Sequence, residues 1–372
     1  MTGSVLFSTI PTASGHVFAR ATLNAPASLN ALSLDMIDGL AARLDAWMAD
    51  PQVVGVVLDA AGDKAFCAGG DVVALHRSIR EATHGAMPGH AAEFFESEYR
   101  LDHRLHTAPK PVLCWGHGIV MGGGIGLMAG ASHRVVTART KLAMPEITIG
   151  LYPDVGGSWF LGRAPGRSGL FLALTGAPLN ASDARFVGLA DFQLRHEDHG
   201  AMLEAVATES WSGRRDDDDA RLSHLLRALE HDVEVPASPL RANLDRIDAA
   251  IGHDRLDDLA PRLHALANDG DPWLAAAATA FAKGAPSSAR LAFEMQRRAR
   301  HLSLADVFRL EWQASVGCCM HGDFAEGVRA LLVDKDKSPR WQPATLAEAD
   351  DALVDALLAP RFVGAHPLAD LR

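Results

Sequence analysis

The run Val53-Val54-Gly55-Val56-Val57-Leu58-Asp59-Ala60 does most to limit the folds open to this 372-residue chain. Apolar and β-branched residues follow one another there without polar alternation, which describes a strand covered on both faces. Strands of that kind sit in parallel sheets flanked by helices, so the expected fold class is α/β. Pro111-Val112-Leu113-Cys114-Trp115 and His133-Arg134-Val135-Val136-Thr137 repeat the signal, and Val5–Thr9 and Val17–Leu23 read as shorter strands. Ser33 is placed to cap an amphipathic helix over Leu34–Ala49, with Met36, Leu40 and Leu44 on one face. The order strand, strand, helix recurs, which predicts similar turns rather than a simple alternating sheet.

From about Glu197 the strand signals fade, and Ala, Leu, Arg and Asp recur at helical spacing as far as about Leu358. The expected division is an α/β core over residues 1–200 and a mostly helical C-terminal region over 201–372. The charged run RRDDDD at 214–219 reads as a solvated loop or a helix start.

A formal charge of −11 argues against a dominant nucleic-acid surface, since phosphates are repelled at long range. Cys67, Cys114, Cys318 and Cys319 are too few for a disulfide framework, and the vicinal pair reads as small buried thiols in a helix. The N-terminus shows no basic-then-apolar leader, and the most apolar stretch, Gly118–Ala131, is short of the roughly 20 residues that span a bilayer. These features point to a reducing cytoplasm and no membrane partner.

Three segments carry chemistry. Ala65-Phe66-Cys67-Ala68-Gly69-Gly70-Asp71 follows a buried strand and opens into a helix; Gly116-His117-Gly118-Ile119-Val120-Met121-Gly122-Gly123-Gly124 does the same. Glycines let backbone approach a ligand, and free N–H groups at a helix start suit a developing anion. A dinucleotide site also uses such turns, but no acidic residue follows at the position that would hold a ribose. In Met144-Pro145-Glu146 through Asp154-Val155-Gly156-Gly157, two carboxylates stand among apolar residues, prolines and glycines. Burial there raises a carboxyl pKa and suits it to act as base, acid or nucleophile. The alternative is that Glu146 and Asp154 cap helix starts near Ile147 and Val155. His117, in a strand-to-glycine turn, reads as structural, and Tyr152 and Trp159 read as pocket or core aromatics.

In this order, and with Leu29-Asn30-Ala31-Leu32 before them, the three segments resemble the crotonase (enoyl-CoA hydratase/isomerase) superfamily. That resemblance covers about residues 1–195 and implies a spiral of ββα turns. FFESEYRLDHRL, MPEITIGLYPDVGG and DFAEGVRALLVDKDKSPRW at 323–341 look like the 3-hydroxyisobutyryl-CoA hydrolase branch, almost end to end. The branch implies oxyanion donors at the N–H groups of Gly70 and Gly123, reacting carboxylates at Glu146 and Asp154, and Glu98 lining the acyl pocket. It implies an acyl-CoA substrate and no separate cofactor, CoA being part of the substrate. Hydratases of the superfamily carry a second glutamate where this chain has Gly126, so hydration is not expected. Asn24–Ser28 lacks the basic residues that relatives usually place near the CoA adenine, and Lys335 and Lys337 are candidates for the CoA phosphates. The competing readings are an enoyl-CoA isomerase, which needs one carboxylate, and a non-catalytic acyl-CoA-binding protein. The helical extension either mediates or replaces subunit contacts, which leaves a homo-oligomer open.

Overall fold

The strand expected at 53–60 forms over its full length and is buried along all but its last residue. The computed structural model describes residues 3–83 and 85–372. In chain order the elements that frame the site are β1 (Val5–Pro11), β2 (Val17–Leu23), α1 (Leu34–Ala49), β3 (Val53–Ala60), β4 (Ala65–Cys67), α2 (Val72–Glu81), α3 (Gly89–His106), β5 (Val112–Gly116), β6 (Ile119–Met121), α4 (Gly123–Gly130), β7 (His133–Val136), β8 (Lys141–Ala143) and β9 (Phe192–Gln193). β1 and β2 form an antiparallel hairpin, and β3, β5, β7 and β9 add in parallel, giving the order β1-β2-β3-β5-β7-β9. A second sheet has the order β4-β6-β8. Each of β3, β5 and β7 is thus followed by a short strand of the other sheet, which is the recurring strand-pair pattern of a crotonase-type α/β fold.

Two compact units interleave along the chain. The first comprises Met1–Gly70, Leu101–Leu142 and Leu179–Ser238; the second comprises Asp71–Arg100, Ala143–Pro178 and Pro239–Arg372. In the first, Phe18, Val57, Leu113, Trp115 and Val135 from the sheet pack with Met202, Val206 and Leu222 from the helices His199–Thr208 and Arg215–Leu229. Ser33 caps α1 by accepting from the Met36 amide. The charged run at 214–219 is a helix start, and its Asp218 turns inward to accept from the Ser212 and Gly213 amides. Asp59, 1% exposed at the end of β3, is satisfied by Arg20, Thr22 and His199.

The second unit is mostly helical. The helix Leu304–His321, capped by Ser303, buries Val307, Phe308, Trp312, Cys318 and Cys319, so the vicinal thiols are core residues as expected. Among the described residues no helix is long and apolar enough to cross a membrane.

Candidate active site

The glycine-rich turns meet within the first unit. Leu29-Asn30-Ala31-Leu32 does the local work: Ala68 N–H donates to the Leu29 carbonyl and Leu32 N–H to the Gly69 carbonyl. Asn30 adds side-chain bonds to the Ala61 and Ala65 carbonyls at 3.1 and 2.9 Å. The Leu32–Gly70 bridge therefore consumes the Gly69 carbonyl and leaves the Gly70 N–H outside the ladder. Gly123 is the first residue of α4, where an amide has no acceptor within its own helix. A Cβ built on Gly69 would lie 3.3 Å from the Met121 carbonyl oxygen and 3.8 Å from the Gly123 nitrogen. Gly69, at φ 107°, must be glycine for this approach. The Gly69–Gly70 segment and the start of α4 thus lie side by side, which is the arrangement an oxyanion site needs.

The acids gather in the second unit. Glu146 opens a 3-10 turn to Ile149 that ends on Gly150 at φ 75°, where a Cβ would stand 2.3 Å from the Asp323 carbonyl oxygen. Neither Glu146 nor Asp154 caps a helix start. The Asp154 carboxylate accepts instead from the Tyr99 hydroxyl at 2.6 Å. Val155 follows at φ 50° and Gly156 at φ 84°. A left-handed conformation costs a β-branched residue about 1–2 kcal/mol. It is held by Glu311, whose carboxylate accepts from the Gly156 amide at 2.7 Å and the Ser158 amide at 2.9 Å. Glu98, Glu146, Asp154 and Glu311 are 3%, 5%, 4% and 0% exposed. Glu98 Oε1 and Glu146 Oε2 have no hydrogen-bond partner among the described residues.

Burial pushes the Glu146 carboxyl well above the usual carboxylate range, with Asp154 adding to it. Burial and Asp154 do the same to Glu98. Asp154 is raised to about 6 by burial, against the opposing Tyr99 hydrogen bond. Glu311 is raised to about 8 by burial and by Asp154, against the amides of Gly156 and Ser158.

The folded chain therefore holds a proton on Glu311 between its ordinary 4.5 and about 8, where the unfolded chain does not. Stability from this group is complete below 4.5 and is lost as pH rises towards 8, at about 1.4 kcal/mol per pH unit. Asp154 acts in the same direction, but only up to about 6. Buried His106, lowered to about 4 from 6.5, acts oppositely and only below 6.5. Between pH 7 and 8 the expected result is a melting temperature that falls by a few degrees, and a flatter dependence for Glu311→Gln. Thermal scans at the two pH values test this; equal melting temperatures in the parent protein would contradict it.

Other residues named from the sequence fall elsewhere. His117 is buried and bonds the Gly62 carbonyl at 2.7 Å across the turn before β4, a structural place. Tyr152 is a core residue donating to the Glu311 carbonyl, and Trp159 lies under Arg163, 4.0 Å from its ring centroid. Lys335 and Lys337 are exposed, at φ 58° and 55°. Gly126 lies buried inside α4 and brings no side chain. Nothing local in the sequence singles out Tyr99 or Ser315; the signal for Glu311 is a lone acid between Leu310 and Trp312 in a largely apolar helix. No group of three metal-ligating side chains occurs among the described residues.

The sequence profile of the enoyl-CoA hydratase/isomerase family matches residues 18–358, and the chain belongs to that family. Within it, the chain is similar to the mitochondrial 3-hydroxyisobutyryl-CoA hydrolase of Gallus gallus, 37% identical over 343 residues that span 91% of this chain and 86% of the relative. The Danio rerio protein of the same name is 38% identical, over 90% of this chain and 85% of the relative. The crystal structure of a carnitinyl-CoA dehydratase from Mycobacterium thermoresistibile superposes with a TM-score of 0.84 at 38% identity, covering 96% of this chain and 97% of the other.

Proposed function

We propose that this chain is an acyl-CoA thioester hydrolase acting on short hydroxyacyl groups, with 3-hydroxyisobutyryl-CoA as its main substrate and valine catabolism as its setting. The observation that carries the reading is Glu146: a buried, incompletely partnered carboxyl beside Asp154, in a chain where the hydratase's second glutamate is Gly126. The similarity to proteins named as hydrolases along nearly the whole chain supports it.

In this mechanism the thioester carbonyl is polarised by the Gly70 and Gly123 amides. Each such donor is typically worth about 3–4 kcal/mol in the transition state. Glu146, as carboxylate, attacks the carbonyl or activates water. Asp154 supplies the proton that the leaving thiolate takes up. Glu98 Oε1 is a buried acceptor without a partner, and a substrate hydroxyl would satisfy it. An unmet buried acceptor costs about 1–3 kcal/mol, which favours hydroxyacyl over plain acyl esters.

Free-thiol release across a panel of short hydroxyacyl-CoA esters is the test, and 3-hydroxyisobutyryl-CoA is expected to give the highest kcat/KM. Crotonyl-CoA should keep its conjugated enoyl absorbance, because Gly126 leaves no second group for the α-proton. Loss of that absorbance would favour a hydratase or a dehydratase, the activity by which the Mycobacterium thermoresistibile relative is named. Binding of the esters without thiol release would favour a non-catalytic role. Cys67, Cys114, Cys318 and Cys319 are buried in the core, too few to form a disulfide framework, and we assign the protein to a reducing compartment, the cytoplasm. Because the relatives are named as mitochondrial, cell fractionation is the check on that assignment.

A further inference from the structure

Behind Asp154 runs a chain of hydroxyl groups that the thioesterase chemistry does not itself call for. The Tyr99 hydroxyl lies 2.6 Å from Asp154 Oδ2 and 2.7 Å from Ser315 Oγ. Ser315 Oγ lies 3.0 Å from the Tyr152 hydroxyl, which donates to the Glu311 carbonyl at 2.8 Å. All four residues are buried, and each contact lies within the second unit.

Counting hydrogens exposes two states of this chain. It has four contacts but only three hydroxyl hydrogens. With Asp154 ionised, Tyr99 donates to it and one of the two contacts made by Ser315 lacks a hydrogen. With Asp154 protonated, the acid donates to Tyr99, Tyr99 to Ser315, Ser315 to Tyr152, and Tyr152 to the Glu311 carbonyl. All four contacts are then filled, so the array accepts either form of the acid without leaving a buried donor stranded.

We propose that Tyr99 and Ser315 are positioning residues of a reversible proton relay, which lets Asp154 take the proton that Glu146 must give up and pass it to the departing thiolate. The proposal rests on the hydrolase reading above. The groups that act with Asp154 are Glu98 and Tyr99 from α3, Glu146 from the 146–149 turn, Tyr152 from its own loop, and Glu311, Cys318 and Cys319 from the 304–321 helix. Each is itself an acid, and each proton that enters or leaves the cluster changes the cost of the next charge.

The protons balance. Glu146 passes its proton to Asp154 and becomes the carboxylate that attacks the thioester or activates water. As the C–S bond breaks, Asp154 protonates the sulfur, free CoA departs, and Tyr99 swings back to donate to Asp154. Water then cleaves the acyl intermediate, or has already been added if Glu146 acts as base. Of its two protons, one returns to Glu146 and the other leaves with the hydroxy acid.

The test is the pH dependence of kcat/KM for Tyr99→Phe and Ser315→Ala, with circular dichroism and thermal melting as checks on folding. Tyr99→Phe removes the donor that favours ionised Asp154, so the ascending limb is expected to move to higher pH by about one unit. kcat at pH 7 should fall roughly 10- to 100-fold and KM should stay within about threefold. Ser315→Ala leaves the Tyr99 bond to ionised Asp154 in place but removes the acceptor that Tyr99 needs once Asp154 is protonated, so its limb should move by a smaller amount, and to lower pH; it also carries the test if Tyr99→Phe fails to fold. Limbs that superimpose on the parent profile, whatever the change in kcat, overturn the relay. Asp154→Asn separates this from failure of the underlying reading. If that variant turns over at the parent rate, Asp154 has no part in hydrolysis; if it is inactive while the other two profiles are unmoved, only the relay is wrong.

Discussion

Glu146→Gln is expected to lower kcat for hydroxyacyl-CoA hydrolysis by about three decades or more, while the affinity for the ester changes by less than about threefold. The amide keeps the volume and the apolar contacts of the buried side chain, but it neither attacks a carbonyl nor accepts a proton. General-base action alone contributes about 10²–10⁴ in rate, and a covalent route depends wholly on the carboxylate. Misfolding is not the expected outcome: Glu146 is raised by burial and by Asp154, so neutralising it removes a cost rather than a support. The melting temperature of the variant should therefore equal or exceed that of the parent. Stopped-flow thiol release and a binding titration with the same ester measure the two quantities separately. Turnover near the parent rate would take Glu146 out of the chemistry.

Much of this is legible in the sequence because the signals are local. The β-branched run at 53–60 needs no partner to announce a doubly covered strand, and Ser33 lies three residues from the amide it caps. Glu146 and Asp154 stand out because their neighbours in sequence are apolar, and those neighbours remain around them in the fold. What stays hidden depends on pairing across long stretches of chain. Glu311 is one of two acids in an 18-residue helix, and its meaning comes from two amides more than 150 positions away. The Tyr99–Ser315 contact spans 216 positions, and no periodicity in either helix reports it. The run at 214–219 is the helix start that its composition allowed, but composition does not report that its Asp218, 1% exposed, accepts from the Ser212 and Gly213 amides just before it.

Gly124→Ala tests the other half of the mechanism without touching a polar atom. The Cβ it adds would lie 2.4 Å from the Cys67 carbonyl oxygen and 2.9 Å from the Cys67 Cβ. The nearest obstacle is main chain, so no side-chain rotation relieves it, and Cys67→Ser should not rescue the variant. The start of α4 or the end of β4 must move by about 1 Å to reach an ordinary contact. Gly123 is the adjoining residue, so its N–H moves with that shift, and a misplacement of about 1 Å costs about 100-fold in rate. Overpacking of this kind also costs about 1–3 kcal/mol of stability. The expected result is a folded protein with a lower melting temperature, a kcat reduced about 100-fold and a KM that changes far less. That split follows because the amide's hydrogen bond strengthens as the carbonyl oxygen becomes an anion, so its loss is felt mainly in the transition state. A variant that loses stability but keeps the parent kcat would show that the start of α4 has no part in stabilising the oxyanion.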